Sequence, residues 1–158
     1  MHLLEARASH GPAIAAFLAA QNATHVARRG ELVNAAAQQA LIVVEGEEVR
    51  GVLTYTVRGQ GCEILTLHVE PRQAGHGTAL IESIAALALR RGCSRLWLIT
   101  TNDNVDALRF YQRRGFVFTA LHPGAVAVAR QSLKPEIPLV GDYGIPLRDE
   151  LELERTLH

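Results

Sequence analysis

One stretch limits the architecture more than any other. Residues Cys62 to about Val69 suit a β-strand that Pro71 stops, the turn Gly75-His76-Gly77 follows, and Thr78–Arg91 then sets Leu80, Ile84, Leu87 and Ala88 on one helical face. Gly92 ends that helix, and Arg95–Thr101 is a second strand by its branched and aromatic content. A strand, helix, strand series is a βαβ unit, and its right-handed crossover makes the two strands parallel.

The flanks add antiparallel pieces. Leu3–Ala8 reads as a first strand, and Ser9 as the cap of a helix carrying Ile14, Phe17 and Leu18, with Pro12 in its opening turn. Glu31–Gln39, rich in Ala and Gln, reads as a second helix. Leu41–Val44 and Val49–Val57 form a hairpin about Glu45-Gly46-Glu47, and Gly59-Gln60-Gly61 turns into the strand at Cys62. Beyond Thr101 come Asn102-Asp103-Asn104, a helix over Val105–Arg114 stopped by Gly115, and a strand Phe116–Leu121. A helix Ala125–Leu133, a loop punctuated by Pro135, Pro138, Gly141, Gly144 and Pro146, and a strand Leu147–Leu157 complete the chain. Hairpins around a βαβ unit imply an α+β fold with a mixed central sheet, and 158 residues imply a single domain over 1–158.

Charge narrows the partners. The 16 basic and 16 acidic residues cancel, but residues 1–71 carry a net −2, 72–135 a net +6 and 136–158 a net −4. Wrapping a nucleic acid calls for an overall basic excess, whereas a local positive stretch suits a small polyanion; scattered solvated arginines give the same figure. Cys62 and Cys93 stand at no metal-like spacing, and the seven His residues form no ligand set, so no metal is expected. The longest apolar run, Ala13–Ala20, is far short of the ~20 residues of a membrane span, and no charged leader opens the chain. A cytoplasmic protein with neither nucleic acid nor membrane as partner is expected.

Two groups of residues carry chemistry. Arg72-Gln73-Ala74-Gly75-His76-Gly77 lies between a strand end and a helix start, where N–H groups converge and the helix dipole favours a phosphate. A plain connecting turn is the alternative. The dinucleotide and P-loop readings lapse, because Leu80 stands where a third glycine is needed and no Lys-Ser or Lys-Thr follows. Downstream stands Asn104-x-x-Ala107-x-x-Phe110-Tyr111-x-x-x-Gly115-Phe116.

Together the two groups resemble the GNAT superfamily of N-acetyltransferases, whose pyrophosphate loop Gln/Arg-x-x-Gly-x-Gly/Ala is matched from Arg72 to Gly77. The resemblance is strong from Cys62 to about Phe118 and extends to the first 61 residues only in the order of elements. One departure is visible: members commonly place two more residues between the positions of Pro71 and Arg72. The resemblance implies that the strand Cys62–Val69 bulges away from Leu96–Thr100 to admit the pantetheine arm of acetyl-CoA. Backbone groups around Leu67, His68 and Val69 would pair with that arm, and N–H groups from Gln73 to Thr78, with Arg72 beside them, would hold the diphosphate. Asn104, Ala107 and Phe110 complete the implied cofactor contacts.

The implied reaction moves an acetyl group from acetyl-CoA to a primary amine of a small molecule or peptide by direct attack. A non-catalytic acyl-CoA-binding or sensor domain is the competing reading, and an interaction scaffold a third. Glu63 is the candidate general base; strict alternation puts it on one face with Leu65, Leu67 and Val69, and its alternative is a solvent-facing strand residue. Tyr111 is the candidate acid for the departing thiolate, or else a core aromatic. His68 alternates away from Glu63 and reads as structural. Arg113-Arg114 complements a helix C-terminus or meets the ribose phosphate. Asp149, Glu150, Glu152 and Glu154 are the wet face of an edge strand, or with Asp142-Tyr143-Gly144 an attractor for a cationic acceptor. A homodimer is compatible with all of this.

Overall fold

The computed structural model describes residues 1–72 and 75–158. Its elements in chain order are β1 (His2–Glu5), α1 (Gly11–Ala20), β2 (His25–Arg28), β3 (Glu31–Asn34), β4 (Gln39–Glu45), β5 (Glu48–Arg58) and β6 (Gly61–Val69). Then come α2 (His76–Arg90), β7 (Arg95–Thr101), α3 (Val105–Gln112), β8 (Val117–His122), α4 (Ala125–Ser132) and β9 (Glu150–Thr156). The fold is of the mixed α+β class. Two compact units are distinguishable, one of Met1–Val26, Asn34–Leu96 and Leu157–His158, the other of Ala27–Val33 and Trp97–Thr156.

In the first unit β1, β4, β5 and β6 lie side by side, each antiparallel to the next. Pairing fixes which side chains share a face, because residues directly opposite point the same way. Ala40 faces Thr54 and Ile42 faces Val52 across β4 and β5, and this side packs under Ile14 and Leu18 of α1. The other side carries Val43, Gly51 and Val69 under α2: a Cβ on Gly51 would meet Val69 Cγ1 at 3.2 Å and Leu80 Cδ1 at 3.4 Å.

Between β5 and β6 the register slips by one residue. Thr54 opposes Thr66 but Tyr55 opposes Ile64, which leaves Leu65 as the extra residue of a bulge on β6. Alternation therefore reverses at Leu65. Glu63, opposite Thr56, shares its face with Thr66, opposite Thr54, and with His68, opposite Val52. The sequence-based grouping of Glu63 with Leu67 and Val69 is corrected by this one inserted residue, as is the separation of His68 from Glu63.

Two further expectations differ. Ser9 does not cap α1; it lies within a 3-10 turn, Ala8–His10, and the helix starts at Gly11 with Pro12 in its first turn. Glu31–Gln39 is not a helix but the strand β3 followed by a 3-10 turn, Ala35–Ala37, whose cap Asn34 accepts from the N–H of Ala36 at 3.1 Å.

In the second unit β9 lies between β7 and β8, so the acidic strand is not an edge. Glu150 is only 3% exposed and accepts the backbone N–H of Arg29 at 3.1 Å, while the Arg29 guanidinium stands 5.2 Å from the Trp97 ring. The run between α4 and β9 is held by Arg130, which donates to the carbonyls of Ile137, Pro138 and Leu147 at 2.7–2.9 Å. Among the described residues no helix is long and apolar enough to cross a membrane, and no group of three or more His, Cys, Asp or Glu side chains could hold a metal.

Candidate active site

In the first unit the strand β6, the turn after it and the start of α2 carry the expected binding residues. β6 is buried from Cys62 to Thr66 and half-buried over Leu67, His68 and Val69, so the strand approaches the surface at its C-terminal end. Pro71 and Arg72 are exposed. Gln73 and Ala74, expected in the diphosphate loop, lie outside the described residues.

The helix that follows starts without a side-chain cap. Its N-cap is Gly75 at φ +79°, a conformation that L-residues with a side chain rarely adopt, and no acidic residue stands in its first turn. The positive end of a 15-residue helix is thus directed at the turn without a carboxylate to offset it. Gly77 is buried within the first turn of the helix, Thr78 is half-buried, and His76 is 5% exposed with neither ring nitrogen bonded among the described residues.

Glu63 is 3% exposed, so the solvent-facing alternative for it does not hold. Beside it on the same face, the hydroxyls of Thr54 and Thr66 are hydrogen-bonded at 2.7 Å, both residues being buried. His68 is next along, with a buried Nδ1 that has no partner among the described residues. Burial holds the His68 imidazole below its ordinary range; the Arg72 cation lowers it further and Glu70 opposes both. A buried acid, a hydroxyl pair and an uncharged imidazole therefore line up on one side of two strands.

In the second unit Asn104 caps α3. Its Oδ1 accepts from the Ala107 N–H at 3.4 Å and its Nδ2 donates to Thr100 Oγ1 at 3.1 Å. Tyr111 is buried edge-on between Phe110 and Phe116, with ring centroids 5.2 and 5.3 Å away. Burial raises its pKa strongly, so the phenol keeps its proton throughout the neutral range. Arg114 lies 3.7 Å over the Phe110 ring and donates to the Phe110 carbonyl at 2.8 Å, which satisfies the end of α3. The hydroxyl pair was not among the expected site features, and the bulge expected of this strand is fixed at Leu65 only by its register with β5. Thr54 and Thr66 are ordinary strand residues in sequence, and only the register brings them beside an acid.

A family model described as the acetyltransferase (GNAT) family matches residues 11–116. The uncharacterized protein YdhI of Bacillus subtilis is 46% identical over 115 residues, 73% of this chain and 71% of that one. A streptothricin acetyltransferase of Streptomyces lavendulae is 33% identical over 92 residues, 54% of this chain and 49% of its own. Among solved structures, a GNAT family acetyltransferase from Elizabethkingia anophelis with acetyl-CoA bound superposes with a TM-score of 0.71 at 14% identity, covering 99% of this chain and 97% of that one.

Proposed function

Because the chain belongs to the acetyltransferase (GNAT) family, we propose that residues 1–158 act as one N-acetyltransferase domain. It moves an acetyl group from acetyl-CoA to a primary amine of a small molecule or peptide, by direct attack in a ternary complex. The observation that carries this reading is the burial of Glu63 on β6, the strand that leads into an uncapped helix start. A carboxylate is expensive to bury, and a base for an amine is the use that this placement supports.

The roles follow from the local chemistry. Amides at the start of α2, with Arg72, hold the diphosphate, and the backbone of Leu67 and Val69 pairs with the pantetheine arm. A free amine of pKa roughly 8 to 10 is mostly protonated at neutral pH, and Glu63 removes the proton that blocks attack. A strand N–H near Leu67 donates to the oxyanion, worth about 3 kcal/mol for such a donor. Tyr111, kept protonated by burial, gives its proton to the departing sulfur. The name of one relative, streptothricin acetyltransferase, supports a small molecule as acceptor.

A second reading, a non-catalytic acyl-CoA-binding or sensor domain, is favoured by the enclosure of Tyr111 between two phenylalanines. Thermal-shift measurement with acetyl-CoA, followed by a panel of amines read by free-thiol release, separates the two. Stabilisation with thiol release on at least one amine is expected. Stabilisation without release on any amine gives the binding domain, and no stabilisation by acetyl-CoA overturns both.

A further inference from the structure

The extra residue at Leu65 gathers on one face of the sheet three groups that strict alternation would divide. Along β6 that face reads Glu63, Thr66, His68, with Thr56, Thr54 and Val52 opposite them on β5. Same-face neighbours on a strand are about 6.8 Å apart, a gap that glutamate or histidine covers to within one hydrogen bond or one water. The hydroxyl pair stands midway. Two hydroxyls own two hydrogens and the bond between them uses one, which leaves the second to donate onward. On this face His68 Nδ1 is a buried acceptor with no partner among the described residues.

We propose that His68 is the exit for the proton that Glu63 takes from the acceptor amine, delivered through the Thr54–Thr66 hydroxyl pair. The proposal rests on Glu63 being the base. In each turnover the amine N–H breaks as a Glu63 O–H forms. Through a bridging water the carboxylic acid then protonates the nearer hydroxyl, that hydroxyl passes its own hydrogen to the second, and the second protonates Nδ1 through another water. The imidazolium releases a proton from Nε2 to water, and a turn of the ring or tautomer exchange through solvent then returns an unprotonated nitrogen to the inside for the next turnover. One proton has moved from amine to solvent, the carboxylate is restored, and no electron pair is left unbalanced.

The surroundings suit such a relay. His68 is half-buried, and its Nδ1 lies inside. Val52 opposite it and Ile42 beyond carry no charge. The charged groups acting on it are Arg72 and Glu70 from the following turn, and burial with Arg72 outweighs Glu70, so the ring is neutral and ready to accept at pH 7. As a relay, His68 is a positioning residue for the proton and touches neither reactant through its ring.

The test is steady-state kinetics of His68→Gln across pH, with Glu63→Gln alongside. His68→Gln is expected to lower kcat by roughly tenfold, less than the ~10²-fold or more of a direct acid or base. The KM for acetyl-CoA should stay within about twofold, and added imidazole should restore part of the rate. The acidic fall in kcat that the parent shows below the ordinary histidine range should vanish in the variant. Thr54→Val with Thr66→Val should reproduce the loss of kcat, and carries the test if His68→Gln does not fold. An unchanged kcat and pH profile in His68→Gln, or a loss confined to KM, overturns the relay while a dead Glu63→Gln leaves the base in place. An active Glu63→Gln removes both, and is recognised as the failure of the base itself.

Discussion

The carboxylate of Asp103 lies against the backbone of Gly141, so close that a Cβ on Gly141 would collide with its Oδ2 and Cγ. That carboxylate has little freedom to withdraw, since it accepts from the Thr101 hydroxyl and from the Asp142 N–H at 2.9 Å. The contact pins the Pro/Gly-rich loop to the stretch just before α3. Gly141→Ala is therefore expected to cost about 1–3 kcal/mol, the range of overpacking, and to lower Tm. Asp103→Ala in the same chain should recover part of that cost, since it removes the obstacle. Equal Tm values for Gly141→Ala and the parent by calorimetry would refute the contact as a fixed one.

Tyr111 stands between phenylalanines with its ionisation held off by burial, a state suited to a donor and unsuited to a base. Tyr111→Phe keeps the ring packing and removes only the hydroxyl. Turnover should fall at least ~10-fold with little change in acetyl-CoA affinity, the signature of a group acting mainly in the transition state. Unchanged turnover removes Tyr111 from the mechanism and leaves it a core aromatic.

How far the sequence could be read depended on whether local pattern or tertiary pairing decides the outcome. β7 was legible to the residue and α2 to within two, because branched and periodic runs bounded by glycine leave few alternatives. Glu31–Gln39 misled because its Ala and Gln favour a helix in isolation, whereas Arg29-Gly30 turns the chain between β2 and β3 and a hairpin forms instead. The bulge at Leu65 left no trace in composition; it exists only as a mismatch between two paired strands, and it decides which face Glu63 occupies. The acidic run on β9 misled in the same way, since its position between β7 and β8 is a property of the sheet and its charges meet Arg29, far off in sequence. Motif spacing pointed to the candidate site. Register decided its composition.

Gly75 offers a test of the helix start that strain alone cannot imitate. Its φ of +79° and the open space around it mean that alanine there meets no neighbour among the described residues but takes a left-handed conformation costing about 1–2 kcal/mol. Gly59, at φ +59° with equally open space, sits in the turn between β5 and β6 and supplies the control. Both alanine variants should lose a similar amount of Tm without ligand. Only Gly75→Ala should also shrink the stabilisation by acetyl-CoA, corresponding to a Kd raised about tenfold for 1.4 kcal/mol. Equal ligand shifts in the two variants would take Gly75 out of the diphosphate site.

Cys62 links burial in the β6 strand to the behaviour of the whole fold in alkali. Its side chain is fully buried, and burial, with the Cys93 thiol adding to it and Arg91 opposing, pushes its pKa up to about 12 from 9.0. Above pH 9 the unfolded chain loses this proton while the folded one retains it, so proton release favours unfolding. The contribution is complete below pH 9 and is lost progressively as pH rises toward about 12, a fall of up to ~4 kcal/mol for this one group. Cys62→Ala is expected to lower stability at neutral pH by about 1–2 kcal/mol through lost packing, yet to weaken the alkaline slope. Urea unfolding of both proteins between pH 8 and the alkaline limit of reversibility measures that slope. Parallel curves would show that the thiol does not govern it, whereas curves that converge as pH rises place the neutral thiol of Cys62 among the groups the fold must keep protonated.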